Sequence, residues 1–272
     1  PSRLVLVTFT RRAAQQLTSR LAALVGPEAQ HVRAGTIHHF CYKTLRAHSA
    51  PAGVPDDFIV VDDTVTDAFW QRWYEAHERW CEANDLHSYR QVKTHVSRIK
   101  LGIDTVAGRL TEGLRAYGEM LGDRGALDFD DLLVKTRDLL RNHPDVRADL
   151  VDETRAVLVD EFQDTDPVQF DIIRRLGEAG AHLYCVADDD QSVYRFRGAR
   201  PANLRRYIDR FDCSAERGTR HVLTTNYRSN RSIYAVAEAV LDADERLKQR
   251  GDIRTSDAGT QPVQLVACDD PE

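Results

Sequence analysis

Apolar positions along the chain repeat with two periods, one typical of buried strands and one typical of amphipathic helices. The strand period predicts strands at residues 4–10, 31–34, 156–160, 182–187 and 221–225. The helical period predicts helices at residues 11–24, 36–45, 128–140, 166–176, 201–211 and 230–241. Strands separated by helices of this length indicate an α/β fold, with a parallel sheet covered by helices on both faces.

Between residues 46 and 126 the strand period disappears and only helical spacing remains. This segment opens with a connector rich in Pro, Gly and Ala, and it then carries an aromatic stripe: Phe69, Trp70, Trp73, Tyr74 and Trp80. Aromatic residues at helical spacing usually belong to a core rather than to a ligand site. We therefore predict a helical insertion within the α/β domain.

Composition limits the classes of protein that this chain can belong to. The 272 residues are 42% hydrophobic and 29% charged, which is typical of a soluble globular protein. No apolar run is long enough to span a membrane and no signal peptide is recognisable, so we expect no membrane partner and a cytoplasmic location. The five cysteines are scattered and suggest neither a disulfide framework nor a zinc site. Because Pro1 lies next to the first strand, we expect the chain to be a fragment.

The stretch VLVDEFQDTDPVQ, residues 157–169, places Asp160 and Glu161 where a buried strand ends. Ligands of open parallel sheets bind at the carboxyl ends of the strands. There an Asp can hold Mg²⁺ beside substrate phosphates, and a neighbouring Glu can take a proton from an attacking water. The next strand brings Gln191 to the same edge, where its amide could sense a γ-phosphate. The pattern favours nucleotide hydrolysis.

Two other interpretations of these acids remain open at this point. A two-metal nuclease would also gather carboxylates, and residues 188–190 could add to the pair. Alternatively, the acids could only cap helices, which would explain Asp164 and Asp166 but not a Glu directly after a buried Asp.

The net charge of −6 argues against binding of nucleic acid through bulk positive charge, so any such binding must be local. Residues 194–210 contain six arginines and interleaved aromatic residues. Basic groups for phosphates combined with aromatic faces for bases are typical of single-strand binders. A solvated arginine-rich helix face is the alternative explanation.

Several motifs in a fixed order resemble those of UvrD/Rep-type superfamily 1 DNA helicases. VLVDEFQDTDPVQ resembles the D-E-x-Q element of that family, and residues 188–204 resemble the element that follows it. The other matches are VTFTRRAAQQL, GTIHHF, ALDFDDLL and LTTNYRS. The resemblance implies an ATP-dependent helicase that moves along single-stranded DNA, 3′ to 5′, and unwinds duplex DNA in repair or recombination.

The resemblance also implies roles in the use of ATP and Mg²⁺. Asp160 would hold the metal and Glu161 would be the general base. Gln163 and Gln191 would couple the nucleotide state to DNA contacts. Arg228 would reach the γ-phosphate as an arginine finger, and Tyr227 would stack on the adenine.

For DNA, the resemblance implies aromatic faces along which the bases step and polar groups that touch phosphate or sugar. The implied aromatic residues are Phe9, Tyr194 and Phe196. The implied polar residues are Thr36, His38 and Arg197. The expected partners are single-stranded DNA and duplex junctions. The family often has Trp at the position of Phe196, and Phe offers a smaller face.

The fold implied by the resemblance is a RecA-like domain followed by the start of a second one. We expect the first domain at residues 1–45 and 127–220, the helical insertion at residues 46–126, and the second domain at residues 221–272. No G-x-x-x-x-G-K-[ST] phosphate loop occurs in the chain, so we expect this polypeptide alone to be inactive. A module that binds single-stranded DNA without ATPase activity is the alternative.

Overall fold

The structure is a computed structural model that describes residues 2–105, 108–192, 199–200, 202–214, 216–217, 219–240 and 254–255. The described residues form two compact units. The first falls within residues 1–188 and 192–205, and the second falls within residues 189–191 and 206–272.

Every strand pair in the described residues is parallel. The strands are β1 (Leu4–Thr8), β2 (Arg33–Thr36), β3 (Ile59–Val60), β4 (Ala126–Leu127), β5 (Ala156–Val159), β6 (His182–Cys185), β7 (Thr225–Asn226) and β8 (Arg254–Thr255). The main sheet has the order β2-β1-β5-β6. Its register pairs Val5 with Val157 and Val7 with Val159, so that buried valines lie side by side at its centre. The predicted α/β fold with a parallel sheet is confirmed.

Helices connect and cover these strands. They are α1 (Arg11–Val25), α2 (Ile37–Ala47), α3 (Ser49–Ala52), α4 (Asp63–Ala76), α5 (Glu78–Glu82), α6 (Tyr89–Lys100), α7 (Leu110–Gly122), α8 (Phe129–Asn142), α9 (Pro144–Glu153), α10 (Pro167–Glu178), α11 (Ala202–Phe211) and α12 (Arg231–Val240). Helix α8 packs against α2, α9 and α10. Leucine and isoleucine side chains of α8 and α10 are almost completely buried at this contact.

Polar side chains fix the starting points of the main helices. Thr10 and Thr36 accept hydrogen bonds from the backbone N–H groups of Ala13 and His39, which caps α1 and α2. Asp128 caps α8 in the same way, and Asp131 returns the bond to the backbone of Asp128. Such caps satisfy N–H groups that have no partner within the helix. Thr36 is therefore the N-cap of α2.

Two predicted strands differ from the structure. The strand expected at residues 31–34 lies at Arg33–Thr36 instead, because a 3₁₀ segment, Gly26–His31, follows α1 and includes His31. The strand expected at residues 221–225 was wrong for residues 221–224, and only Thr225 and Asn226 pair. Val222 and Leu223 are exposed, so their apolar character did not mark a buried strand.

The helical insertion has a hydrophobic core of its own. Helices α4–α7 bury Trp70 and Trp73 together with Tyr117, and this confirms that the aromatic stripe belongs to a core. The short parallel pair β3 and β4 lies where the chain enters and leaves the insertion. The backbone N–H of Val61 donates to the carbonyl of Leu127 at 2.9 Å and continues this pairing.

In the second unit, the described part of α12 begins after Asn230, whose side chain accepts from the backbone N–H of Ile233 at 3.0 Å. Strand β7 pairs with β8 in parallel. Across the described ranges of both units, no helix combines the length and the apolar character that crossing a bilayer requires.

Two glycines of α7 provide a test of how tightly the insertion is packed. A Cβ atom at Gly113 would lie 2.7 Å from Nε1 of Trp73, whereas a Cβ atom at Gly118 would meet nothing within 4 Å. We predict that Gly113→Ala lowers the free energy of unfolding by about 1–3 kcal/mol through overpacking. Gly118→Ala, the matched control, should raise it by about 0.5–1 kcal/mol because Ala is the better helix former. Equal stability of the two variants in denaturant unfolding would contradict this packing.

Candidate functional site

The pair Asp160 and Glu161 lies at the carboxyl end of β5. The backbone N–H of Asp160 donates to the carbonyl of Val7 at 2.9 Å, so pairing with β1 continues up to this residue. Glu161 then turns the chain with φ 52° and ψ 43°, in the left-handed region that non-glycine residues rarely adopt. Such a conformation costs about 1–3 kcal/mol and persists only where the surroundings hold it.

The buried side chain of Gln163 holds this turn from both sides. Its Nε2 donates to Oε2 of Glu161 at 2.7 Å, and its Oε1 accepts from the backbone N–H of Asp188 at 3.0 Å. Only 1% of Gln163 is exposed. The amide therefore links the Glu161 carboxylate directly to the backbone that follows β6, so a displacement of either group acts on the other.

The two acids face a cavity of about 660 Å³ between the sheet and the insertion. Asp160 and Glu161 line it together with Phe9 and His38, which come from β1 and α2 and their adjoining residues. Residues of the insertion form the opposite wall, among them Asp63, Asp67, Arg90, Lys93, Ser97 and Arg98. The carboxylates and two residues expected to contact DNA thus surround one space.

A second cavity, of about 750 Å³, borders the first. All three described residues that are expected to contact DNA line it. Phe9, Thr36 and His38 line it, and Phe129 and Tyr42 contribute two further aromatic rings. The rings of His38 and Phe129 meet edge to face, with their centroids 5.8 Å apart. Burial lowers the pKa of His38 to about 4, so its imidazole is neutral at pH 7 and can donate one N–H. We refer to this cavity as the aromatic groove.

Phe129 is the residue of the aromatic groove that sequence reasoning missed. It is spaced with Leu132, Leu133 and Thr136 as a buried helical stripe would be, and that spacing predicts a core residue. In the structure it stands at the first position of α8 with 41% of its surface exposed. The signals in the sequence are its place at a helix start between acidic residues and its position within ALDFDDLL, one of the motifs that resemble the helicase family.

The remaining residues singled out in the sequence belong to the second unit or fall outside the described residues. Gln191, Tyr227 and Arg228 belong to the second unit, where Tyr227 is 82% exposed. The side chain of Asn226 accepts from the backbone N–H of Arg228 at 2.8 Å and shapes the turn that presents this pair. Three further residues expected to contact DNA lie outside the described residues: Tyr194, Phe196 and Arg197.

The two acids that were expected to cap helices behave differently from each other. Asp166 caps α10 by accepting from the backbone N–H groups of Val168 and Gln169 at 2.8 and 2.9 Å. Asp164 makes no such bond, because its buried Oδ1 has no hydrogen-bond partner among the described residues. Capping therefore explains Asp166 and does not explain Asp164. Burial and the nearby charge of Glu161 raise the pKa of Asp164 to about 6.

The raised pKa of Asp164 gives a pH-dependent contribution to stability. Its folded-state pKa of about 6 exceeds its ordinary value of 3.8, so the folded protein binds more protons between these values. Stability therefore falls as the pH rises through that window. We predict that the unfolding free energy of Asp164→Asn rises relative to that of wild type by about 1–2 kcal/mol as the pH increases from 4 to 7.

Denaturant unfolding at a series of pH values measures this gain. In a Glu161→Gln background the gain should shrink, because part of the repulsion is then gone. A stability difference between Asp164→Asn and wild type that does not change with pH would contradict the assignment.

Comparison with known proteins agrees with the motifs. The family described as UvrD/REP helicase N-terminal domain matches residues 1–212. The chain is 29% identical to DNA helicase II of Escherichia coli over 98% of its own length, and 28% identical to ATP-dependent DNA helicase srs2 of Schizosaccharomyces pombe over 91%. It is 26% identical to ATP-dependent DNA helicase PcrA of Staphylococcus epidermidis over 97%. The chain covers 38%, 30% and 37% of these three relatives.

The fold is an α/β domain with a parallel sheet, and its two acids lie at the carboxyl end of a central strand, the edge where ligands of such sheets bind. The match over residues 1–212 identifies it further: the chain belongs to the UvrD/REP helicase family.

Proposed function

We propose that the complete protein is an ATP-dependent DNA helicase that moves 3′ to 5′ on single-stranded DNA and unwinds duplex junctions in repair or recombination. The observation that carries the proposal is the placement of Asp160 and Glu161 at the end of β5, held by Gln163 and facing the same cavity as Phe9 and His38. Relatives named as DNA helicases support the choice of reaction.

The residues at this edge fit a magnesium nucleotide. Mg²⁺ prefers oxygen ligands and is usually held by one or two carboxylates together with substrate phosphates and waters. Asp160 offers such a carboxylate at the strand end. Bound Mg²⁺ would neutralise charge on the phosphates of ATP. We assign Asp160 to hold the metal.

Glu161 is placed to act as the general base. One of its carboxylate oxygens accepts the hydrogen bond from Gln163, which fixes the direction of the group. The other oxygen would accept a proton from the attacking water. Because Gln163 also bonds to the backbone of Asp188, a change at Glu161 during hydrolysis would be passed to the chain after β6.

We also assign nucleotide contacts to residues of the second unit. We assign Arg228 to the γ-phosphate, since its planar guanidinium suits bidentate contact with phosphate oxygens. Tyr227 would stack on the adenine, and Gln191 would sense the γ-phosphate. The side chain of Asn226 accepts hydrogen bonds from the backbone N–H groups of Arg228 and Ser229 and so fixes the turn that contains Tyr227 and Arg228. A fixed turn supports this assignment because it holds the backbone of both residues in place.

Single-stranded DNA would lie along the aromatic groove. Phe9 and Phe129 would stack on bases, whereas Thr36 and the neutral imidazole of His38 would donate hydrogen bonds to phosphate or sugar. We extend the path to Tyr194, Phe196 and Arg197, as the resemblance to the family implies. A module that binds DNA without hydrolysing ATP would share this groove, and the following variant distinguishes it from the helicase.

We predict that Glu161→Gln in the complete protein abolishes DNA-stimulated ATP hydrolysis and leaves ATP binding largely intact. The amide keeps the shape of the side chain but cannot take the proton. Single-turnover hydrolysis and equilibrium nucleotide binding measure the two effects. The control is Glu75→Gln, an exposed Glu on α4 that should keep wild-type turnover. Near-normal hydrolysis by Glu161→Gln would reject the base assignment, and hydrolysis absent from wild type would favour the binding module.

We further predict that Phe129→Ala weakens binding of single-stranded DNA by about 1–3 kcal/mol, the typical contribution of one stacked base. Phe129→Tyr keeps the aromatic face and should bind within about twofold of wild type. Fluorescence anisotropy with a labelled oligothymidylate measures both. The same loss is expected for Phe196→Ala. Unchanged affinity of Phe129→Ala would remove Phe129 from the DNA path.

A further inference from the structure

A buried ionic cluster joins the helical insertion to the first turn of α8. Lys100, the last residue of α6, places its Nζ 2.7 Å from both carboxylate oxygens of Asp128 and 2.7 Å from Oδ1 of Asp131. The hydroxyl of Tyr117, on α7, donates to Asp128 at 3.0 Å. The side chains of Lys100, Asp128 and Asp131 are 14%, 11% and 19% exposed.

Lys100 is the cation that makes this arrangement possible. Burial alone would lower the pKa of Lys100, but Asp128 and Asp131 raise it above its ordinary value, so the ammonium stays charged. Burial alone would raise the pKa of Asp128, and Lys100 nevertheless holds it below its ordinary value. Removal of the ammonium would leave two carboxylates close together in a buried site, which is strongly unfavourable.

The cluster surrounds Phe129 in the sequence. Asp128 and Asp131 form the capping box of α8 on either side of it. Asp130, the next residue, lines the same cavity as Ser97 of α6; burial raises the pKa of Asp130 to about 7, and the Ser97 hydroxyl opposes this rise. Helix α6 therefore binds the residue before Phe129 and Asp131 after it, and Ser97 lies beside Asp130. The ring of Phe129 itself is left to pack edge to face against His38 in the aromatic groove.

We infer that Lys100 is a positioning residue for DNA: by holding Asp128 and Asp131 it fixes the first turn of α8 on the insertion and so determines where Phe129 stands beside His38. This inference rests on the proposed function, in which Phe129 stacks on a base. It assigns the insertion a part in shaping the aromatic groove. Neither Lys100 nor Ser97 contacts DNA in this account, and both act through Phe129.

The test is a double-mutant cycle in the complete helicase, measured as affinity for a labelled oligothymidylate. Lys100→Met keeps the aliphatic chain and removes the charge, and we expect it to weaken binding at least about fivefold, as loss of one stacking contact would. In a Phe129→Ala background the same change should weaken binding less than about twofold, because the residue it positions is gone. The control is Arg115→Met on α7, whose ion pair with Glu119 is exposed; it should bind like wild type.

Ser97→Ala provides a second variant with less risk to folding. It removes only the hydroxyl that lies beside Asp130, and we expect a smaller loss of affinity that also disappears in the Phe129→Ala background. If Lys100→Met does not fold, this variant carries the cycle alone. Thermal unfolding of every variant accompanies the binding data.

The outcomes separate the inference from the proposed function. A purely structural role of the cluster would lower the melting temperature and give losses that add to that of Phe129→Ala, and this would overturn the inference. Unchanged affinity of both Lys100→Met and Ser97→Ala would overturn it too. If Phe129→Ala itself binds DNA normally, the proposed role of Phe129 fails first, whatever the cycle shows.

Discussion

The side-chain amide of Gln163 is the constraint on which the candidate site depends. It is almost fully buried, and it satisfies both of its polar atoms by joining the Glu161 carboxylate to the backbone after β6. A buried amide with a missing partner would be unfavourable, so the two strand ends are held at a fixed separation. The left-handed turn at Glu161 persists because of this bridge and of the pairing of Asp160 with β1.

A second buried polar contact, between Lys100 and two carboxylates, lies on the side of the site formed by the insertion. Lys100 and its two carboxylates hold the insertion on α8, and the ring that follows Asp128 forms part of the aromatic groove. The acids that we propose for nucleotide chemistry and the rings that we propose for base stacking are therefore held by two separate buried polar contacts within the same unit. The carboxylates lie directly after β5, whereas the rings of the groove stand on α2 and α8 and beside β1.

Much of this fold could be predicted from the sequence. Strands β1 and β5 are clear apolar runs, and helices α1, α2 and α10 have regular apolar spacing and clear N-cap residues. Asp160 and Glu161 could be located because they follow an unbroken apolar run. Strands β3 and β4 have two residues each, too few to show a period, and α9 begins at a proline after a loop. Phe129 and Lys100 were missed because exposure of the first and burial of the second depend on contacts between distant parts of the chain. No local pattern records such contacts.

The parallel pair β3 and β4 brings the entrance and the exit of the insertion to one place on the domain. A segment attached in this way has its own core, and its described residues meet the rest of the domain at this strand pair and at α8. Lys100, at the end of α6, is one of the contacts that hold this segment on α8, so a single ammonium links a separate core to the domain that carries β1 and β5.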